Sequence, residues 1–488
     1  MGRRKLDTEA VKQSYGILPF VLEEVDGEGQ VTPRAGLVTV AEAARGMGLR
    51  EVVEREVVVK ERDRGFTEWE FVESYLTLIA GGGECPEDLA VLGADDAFAK
   101  LLGHGIPSPS AGKKFLYAFH DEEQAVEDAR QRELIPSYVP GENAALVGLG
   151  RVNTHVVRQA QRACPERVAT LDQDATIIES WKRVAAPTYE GTRGYQPMVV
   201  VWAEQDLIVA DEFRDGNVPA DCAPLRVVER AFRALPADVE QVYYRGDTAS
   251  YNHELLNWLR DEDPRRPGRP RAIFGVGAVM SQELRKAVVA AQAWHRDPTD
   301  PWRSWAEVDF VPSGPSVKKG RKPDRYLGIR LTPRQKEMFS DGSEVKYFAA
   351  VTNDFERDGL AILNWQRQKA GTVEATHDVL KNDLAAGVLP CARFGANAAW
   401  FRLNVLTYNV LSVLRRVALP KELERARPKR LRFLVFLVAG LLLSHARQQM
   451  VRVVRRFEEF ILRLSEVRVR LLQRTPVWEQ GMACFDTS

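Results

Sequence analysis

The order of strand-like and helix-like segments between residues 166 and 289 constrains the fold of this chain most strongly. Three β-rich segments come first, and they are followed by a helix, a strand, a second helix and a last strand. These segments are 169–178, 194–204, 206–217, 225–235, 241–247, 252–263 and 271–279. Short strands that alternate with amphipathic helices favour an α/β sheet covered by helices. We therefore predict one sheet whose central strands bring the residues at their ends together.

Acidic residues occupy the positions that such a sheet would bring together. Asp172 and Asp174 are two residues apart on the first predicted strand, so their side chains point to the same face. Asp247 ends the strand predicted at 241–247. This order of strands and helices is that of an RNase H-like core, in which the central strands carry acids at their ends.

A third acid lies in the segment 364–383, NWQRQKAGTVEATHDVLKND. Glu374 and Lys381 are seven residues apart, close to two helical turns, so a helix would place both on one face. Gly371 and Thr372 are typical of a helix end and of the N-cap of a following helix. A carboxylate and a cation on one face suit a metal-bound phosphate. The alternative is a solvated helix with an ordinary ion-pair pattern.

Asp174, Asp247 and Glu374 together form a candidate catalytic and metal-binding set, with Asp172 as the alternative first acid. Clustered carboxylates select hard cations such as Mg²⁺ or Mn²⁺. Two such ions about 4 Å apart can activate an attacking oxygen and stabilise the leaving oxygen at phosphorus. The sequence therefore predicts a two-ion site, although a chain with 68 Asp and Glu offers many other triples.

Residues 1–165 have mostly helical patterns. A short helix at 95–102, a turn, and a second helix capped by Ser110 form a loose helix-turn-helix pattern. Lys113 and Lys114 lie on the second helix, which could enter a DNA groove. An ordinary pair of packed helices remains the alternative.

The C-terminal part of the chain is strongly basic. Residues 411–474 contain sixteen Lys and Arg against five Asp and Glu, an excess of +11 in a chain with no net charge. The excess includes Lys429, Arg430 and Arg432 in the run ARPKRLR. Such a patch favours a polyanionic partner such as nucleic acid, and the alternative is a solvated amphipathic helix.

Composition excludes several classes of protein. A hydrophobic content of 45% and a charged content of 28% are typical of a soluble globular chain. The apolar run 433–443 is too short to cross a bilayer and predicts a buried helix. The cysteines contain no CxxC pair, so we expect neither a zinc site nor a disulfide framework, and we predict a cytoplasmic protein. They are Cys85, Cys164, Cys222, Cys391 and Cys484.

Several motifs resemble one known family. They are LDQDAT, GTRGYQPMVVV, FRDGN, YYRGDTASYNHELLNWL, VTND and the long block AGTVEATHDVLKNDLAAGVLPCARFGANAAWFRLNVLTYNVL. Together with RAGL and GGGECPEDLAVL near the start, they resemble the DDE transposases of bacterial insertion sequences, in insertion-sequence family 1380 of the Y-R-E-K superfamily. The resemblance covers nearly the whole chain, and the block around Glu374 is its most specific part.

The resemblance implies cut-and-paste transposition of double-stranded DNA. Metal-activated water would cleave at terminal inverted repeats, and the freed 3′-hydroxyl would attack target DNA. It implies Asp174, Asp247 and Glu374 as the acids, with Lys381 as a phosphate contact. It also implies a homodimer that pairs two element ends, and a bacterial, nucleoid-associated protein without membrane segments.

The chain departs from the family pattern upstream of Glu374. Ala370 stands four residues before this acid, where an Arg is expected, and Trp365 with Arg367 or Lys369 would have to replace the expected Tyr and Arg. Related enzymes flip a base at a hairpin end and stack it on aromatic residues. Candidates for that role are Trp294, Trp302, Trp305 and Trp365, and a place in the core is the alternative for each.

The predicted layout has five parts. They are a helical N-terminal DNA-binding region (1–165), the first part of the core (166–289), a β-rich insertion (290–350), the second part of the core (351–415) and a basic helical C-terminal region (416–488). A metal-dependent nuclease without strand transfer is an alternative function with the same acids. A non-catalytic DNA-binding protein is a second alternative, which an intact acid triple argues against.

Overall fold

The structure is a computed structural model, and it describes residues 30–60, 64–135, 137–261, 271–312, 323–333, 339, 343–445 and 448–453. The predictions for the first 29 residues, for residues 454–488 and for Cys484 lie outside this part of the chain. The fold is mixed α/β, with a helical N-terminal region packed on a large mixed sheet.

The described N-terminal region is helical, as predicted. Thr67 begins one helix with a capping box, in which its side chain accepts from the Glu70 amide while the Glu70 carboxylate accepts from the Thr67 amide. Gly48, which has a left-handed backbone (φ 70°), separates the helices Val38–Gly46 and Leu49–Glu56. The helices are α1 (Val38–Gly46), α2 (Leu49–Glu56), α3 (Glu68–Gly81), α4 (Leu89–Gly93), α5 (Asp96–Leu102), α6 (Pro109–Tyr117), α7 (Glu122–Leu134) and α8 (Ala144–Ala163).

The predicted helix pair at 95–117 exists, with one correction. Ser108, and not Ser110, caps α6, because the Ser108 hydroxyl accepts from the Ala111 amide. Phe115 on α6 stacks on Phe71 of α3 at 4.6 Å. The apolar face of α6 therefore packs into the helical region.

A nine-stranded sheet forms the centre of the described chain, in the order β10-β11-β12-β13-β9-β8-β2-β6-β7. Its strands are β2 (Val168–Ala175), β6 (Met198–Trp202), β7 (Leu207–Glu212), β8 (Gln241–Gly246), β9 (Ile273–Ala278), β10 (His295–Arg296), β11 (Arg303–Val308), β12 (Arg325–Leu331) and β13 (Lys346–Thr352). The neighbours β2, β8 and β9 run parallel to one another. On the other side of β2, β6 pairs antiparallel with β2, and β7 pairs antiparallel with β6. Helices α9 (Pro224–Ala234), α10 (His253–Arg260) and α11 (Gln282–Ala290) connect these strands.

The strands predicted as an insertion do not form a separate layer. β13 pairs antiparallel with β9, and β12, β11 and β10 follow it outward, so all four continue the central sheet. Backbone groups at the edge of β9 require partners, and β13 supplies them.

A small three-stranded sheet projects between β2 and β6. It consists of β3 (Ile178–Glu179), β4 (Ala186–Pro187) and β5 (Arg193–Tyr195), in the order β3-β5-β4. We call residues 178–195 the flap. The sequence prediction had extended the first strand through Ile178, whereas β2 ends at Ala175.

The long helix α14 (Phe394–Val417) is buried along almost its whole length. Its Asn409 side chain accepts from the amide of Ile208 at 2.8 Å and donates to the carbonyl of Ile208 at 2.8 Å. Ile208 lies on the edge strand β7, so the Asn409 side chain pairs with backbone groups that a further strand would otherwise pair with.

A buried ion network also holds α14 to the sheet. Arg402 on α14 contacts Asp211 of β7 at 2.8 Å and Glu142 at 3.0 Å. Arg230 on α9 also contacts Glu142, at 2.5 Å. Burial would raise the pKa of Glu142, but the charges of Arg402 and Arg230 outweigh it and lower this pKa from 4.5 to about 2.

The segment 354–383 is less regular than predicted. The first helix begins only at Gly359, giving α12 (Gly359–Arg367), and a 3₁₀ turn follows over Gln368–Gly371. α13 (Val373–Asp378) then widens into a π-helical turn over Val379–Asp383. Because a π turn has more residues than an α turn, the two-turn spacing assumed for Glu374 and Lys381 does not hold.

The C-terminal region contradicts the prediction of a helical tail. After α15 (Pro428–Leu431) and a π turn over Arg432–Phe436, the chain forms a hairpin of β14 (Gly440–His445) and β15 (Gln448–Val453). β14 also pairs with β1 (Val31–Thr32) near the start of the described chain. The run 433–443, predicted as one buried helix, thus begins in a π-helical turn and ends in a strand. No described helix is long and apolar enough to span a membrane.

Candidate active site

The candidate site lies where β2 and β8 end side by side. These strands are parallel, and Asp172 is paired with Arg245 in their register. Two residues further along each strand, Asp174 and Asp247 come to the same level. The side chains of both are half-buried. The predicted first and second acids are therefore neighbours at the same sheet edge.

Tyr244 is a buried residue near the end of β8. Its hydroxyl is buried, donates to Gln173 and lies 3.0 Å from the Ser250 hydroxyl. Burial raises the pKa of Tyr244, and the charges of Asp247, Asp172 and Asp174 raise it further.

Asp247 also has a local structural role. It follows the last residue of β8 and caps the short 3₁₀ turn Thr248–Ser250, where its Oδ1 accepts from the Ala249 amide at 3.0 Å. The cap fixes the orientation of the carboxylate and leaves its second oxygen available.

Two residues around α13 contact Asp174. The ammonium Nζ of Lys369 lies 3.3 Å from Asp174 Oδ1, and His377 Nε2 lies 3.9 Å from Asp174 Oδ2. Lys369 is 6% exposed and His377 is also 6% exposed. Burial, followed by the charges of Lys369 and Lys381, lowers the pKa of His377 to about 3, so the imidazole is neutral and its contact with Asp174 is not an ion pair.

The His377 ring has an unusual environment. Neither of its nitrogens has a hydrogen-bond partner, although the side chain is buried.

Asp172 has a different environment from Asp174. It is fully buried, and its two carboxylate oxygens accept from Arg245 Nε at 2.6 Å and from Arg245 Nη2 at 2.7 Å. The Thr372 hydroxyl also donates to it. With its oxygens already engaged, Asp172 is a structural residue in this arrangement, which favours Asp174 as the first acid.

Glu374 and Lys381 do not lie together. The Glu374 side chain is exposed on α13. Lys381 Nζ donates to the Thr176 hydroxyl at 3.3 Å and to the Ile177 carbonyl at 3.2 Å, just beyond Asp174 on the same strand. Lys381 is thus beside the predicted first acid, whereas Glu374 is not part of the contact network.

The fit of this site to a divalent cation is partial. Asp174 and Asp247 have the oxygen chemistry that Mg²⁺ and Mn²⁺ prefer, and Lys369 shows that a positive charge is accommodated beside Asp174. However, within the described ranges no group of three or more Asp, Glu, His or Cys is close enough to hold a metal ion. Glu374 would complete the ligand set only if its side chain turned toward the two aspartates.

Two of the tryptophans predicted to stack on DNA bases contact other residues of this chain. Trp365 is half-buried, with the Arg357 guanidinium 4.5 Å from its ring centre and Tyr243 edge-on at 5.7 Å. Trp305 is 8% exposed and packs closely against Gly359, so it is a core residue and the prediction that it stacks on DNA is wrong for this conformation.

The other two tryptophans differ from each other. The Trp294 indole donates to the Ala291 carbonyl at 2.9 Å and lies under the Arg330 guanidinium at 4.6 Å. Trp302 is 41% exposed and stays a candidate for DNA contact.

The predicted basic contacts fall into two groups. One group is exposed to solvent; it consists of Lys113, Lys114, Arg367, Lys429 and Arg430, of which Lys429 also lies 3.6 Å from Asp383 Oδ1. Arg432 forms the other group, because its Nε donates to the Ala80 carbonyl at 2.8 Å and its Nη2 donates to the Ile79 carbonyl at 3.0 Å. Arg432 thus caps the C-terminal end of α3, and the prediction that it contacts DNA is wrong in this structure.

Sequence reasoning missed the residues that position the aspartates. Arg245 and Thr372 hold Asp172, and His377 faces Asp174. A signal for Arg245 was available, since it stands two residues before Asp247 on the same strand and a buried strand rarely carries an unpaired Arg.

Comparison with known proteins shows the family to which the chain belongs. The model of the family described as "Transposase DDE domain group 1" matches residues 20–462. The chain therefore belongs to the family of DDE transposase domains, and the family implies an enzyme that cleaves and joins DNA strands.

The solved structures that match this chain include the piggyBac transposase in a cryo-EM structure of its synaptic complex with hairpin DNA. The two have 9% sequence identity and a TM-score of 0.45, and the similarity covers 94% of this chain and 85% of that chain. No curated protein sequence matches the chain.

Proposed function

We propose that this chain is a cut-and-paste DNA transposase of insertion-sequence family 1380. Its acids are Asp174, Asp247 and Glu374, and its DNA substrates are terminal inverted repeats and a target duplex. The observation that carries the proposal is that Asp174, near the end of β2, and Asp247, directly after β8, each follow by two residues the paired Asp172 and Arg245 of these parallel strands, in a chain of the DDE transposase family.

The strand order supports an RNase H-like core. Three antiparallel strands, β7, β6 and β2, are followed by β8 and β9, which run parallel to β2. We assign residues 166–289 and 351–415 to this core, with the four added strands of 290–350 extending its sheet. Residues 1–165 and 416–488 would contact DNA around it.

Asp174 and Asp247, joined by Glu374, would hold two Mg²⁺ or Mn²⁺ ions. When bound, such ions activate an attacking oxygen and stabilise the leaving oxygen at phosphorus. Lys381 supports this chemistry because its ammonium lies beside the Asp174 strand, where it can bind a phosphate oxygen. Lys369 offsets the negative charge of Asp174 before DNA binds.

The decisive experiment uses DNA that flanks the coding sequence. A plasmid carrying both flanks is incubated with the purified chain and Mg²⁺ or Mn²⁺, and excised and joined products are mapped by sequencing. We expect excision at short inverted repeats and joining through 3′ ends, with no product for Asp174→Asn or Asp247→Asn. Full cleavage by either variant, or cleavage in EDTA, would contradict the assignment.

The same assay separates the alternatives. Excision without joined products would identify a nuclease without strand transfer. Retention of end binding without any cleavage would identify a DNA-binding protein. We further expect a homodimer on paired ends, which light scattering of the complex with end DNA measures.

A further inference from the structure

The flap exposes two large aromatic side chains to solvent. Trp181 is 97% exposed, Tyr189 is 76% exposed and Val184 is 58% exposed. Exposing apolar surface to water is unfavourable, so apolar side chains concentrated on one small projecting element mark a contact surface.

The flap is a fixed element. Lys182 Nζ donates to the Cys391 carbonyl at 2.6 Å and also to the Leu389 carbonyl, which anchors the flap to the loop before α14. Gly194 on β5 lies so close to β3 that an added Cβ would be 2.3 Å from the Ile178 carbonyl oxygen. The aromatic residues are therefore presented in defined positions, which lowers the entropic cost of binding.

The flap begins directly beside the candidate active site. Lys381 donates to the carbonyl of Ile177, the residue before the flap, and Asp174 is three residues earlier on the chain. On its other side the flap contacts the loop before α14 through Lys182, and α6 contacts the same loop, because the Tyr117 hydroxyl accepts from the Ala392 amide at 3.2 Å. The flap thus connects the strand that carries Asp174 to a loop that also contacts α6.

The charges around the aromatic residues favour a phosphate-bearing partner. Arg183 and Arg193 are exposed on the flap itself. With Lys182 the flap has three cations against the two acids Glu179 and Glu190, and Lys381 adds a positive charge where the flap begins. Aromatic faces within a basic rim are the combination that binds single-stranded nucleic acid, because every base has a π face.

We propose that Trp181 and Tyr189 stack on unpaired bases of the DNA strand that leaves the candidate active site. Arg183 and Arg193 would hold the phosphates of those nucleotides. The proposal rests on the proposed function. It adds that the DNA bound at this surface is an unpaired strand end, and that Trp181 and Tyr189 bind it. A paired duplex hides its base faces, so blunt DNA should not use this surface.

The test compares two fluorescent probes with the full chain. One is a duplex with a 3′ overhang of ten thymidines, and the other is the blunt duplex of the same sequence. Anisotropy titrations give the Kd of each. We expect Trp181→Ala to weaken overhang binding at least tenfold and Tyr189→Ala to weaken it severalfold, with the Kd for blunt duplex unchanged.

Three controls keep the result interpretable. Phe348→Ala removes a 45%-exposed aromatic residue of β13 and should leave both affinities unchanged. Trp181→Phe keeps a stacking face and should restore most of the affinity. Asp174→Asn should abolish cleavage while leaving overhang binding intact, which separates this surface from the chemistry.

Each remaining outcome has a definite meaning. Equal overhang affinity for Trp181→Ala and the unaltered chain overturns the flap proposal but leaves the transposase function standing. If the unaltered chain binds neither probe, the proposed function itself fails. A change of oligomeric state in Trp181→Ala, with unchanged DNA affinity, would show that the flap binds a second copy of the chain, and it would also overturn the proposal.

Discussion

Lys369 Nζ lies 3.3 Å from Asp174 Oδ1, and the Asp174 side chain is 18% exposed while that of Lys369 is 8% exposed. Lys369 comes from the 3₁₀ turn before α13, one residue before the position where the family pattern has an Arg. Lys369 therefore places a positive charge beside the Asp174 carboxylate, although position 370 is Ala and not Arg.

Lys369→Met should lower the rate of DNA cleavage at least tenfold, because Asp174 then loses its only described ion-pair cation. Lys369→Arg should retain more activity, since the charge is kept. Cleavage of end DNA under single-turnover conditions measures both. Lys286→Met, at an exposed position on α11, is the matched control, and an unchanged rate for Lys369→Met would remove Lys369 from the site.

Asp172 and Asp174 should respond to substitution in different ways. Asp172→Ala leaves Arg245 buried without its carboxylate, which costs about 3–5 kcal/mol of the free energy of unfolding. Asp174→Ala leaves the Lys369 ammonium without its carboxylate, so it should also lower that free energy, but it should abolish cleavage by the folded protein as well. Urea denaturation and the cleavage assay measure the pair, and a stable but inactive Asp172→Ala would make Asp172 the first acid.

Glu142 predicts how stability depends on pH. Its pKa is lowered from 4.5 to about 2 in the folded protein, so its contribution is fully present above pH 4.5 and is lost as the pH falls toward 2. Each pH unit between the two values is worth about 1.4 kcal/mol, which gives about 3 kcal/mol in all.

The measurement compares unfolding of the unaltered chain and Glu142→Gln between pH 7 and pH 3. The variant should be less stable at pH 7, and the difference between the two should shrink as the pH falls. A difference that stays constant over this range would contradict the role of the Arg402 network. Glu123→Gln, at an exposed position on α7, is the control.

Arg432 and Arg430 should separate stability from DNA binding. Arg432→Gln should destabilise the protein by about 1–3 kcal/mol, because carbonyls at the end of α3 lose their donor. Arg430→Gln should leave stability unchanged, weaken DNA binding and reduce the salt dependence by about one phosphate contact. Thermal unfolding and salt-dependent anisotropy measure these effects, and the reverse pattern would restore Arg432 as a DNA contact.

Much of the central sheet could be predicted from the sequence because its strands are short, β-rich and bounded by turns. The strands that carry Asp174 and Asp247 begin and end close to the predicted positions. The pairing of β13 with β9 could not be predicted, because strand order depends on contacts between residues more than 70 positions apart. No local pattern encodes such a contact.

The site was predicted less completely for a similar reason. Spacing placed Glu374 and Lys381 on one regular helix, but the chain changes to a π turn after Asp378. Trp305 and Arg432 could equally have been exposed, since composition does not say which large side chain fills a gap or caps a distant helix. Only the tertiary arrangement decides between those roles.

The pairing of β1 with β14 has a consequence for how this protein is made. Val31 is paired with Leu441, and the Ala35 amide donates to the Val438 carbonyl at 2.9 Å, so these contacts close a loop of some four hundred residues. The N-terminal segment therefore emerges from the ribosome long before the strand that pairs with β1 has been made. We expect the last stage of folding, in which this pairing forms, to be slow and prone to misassembly.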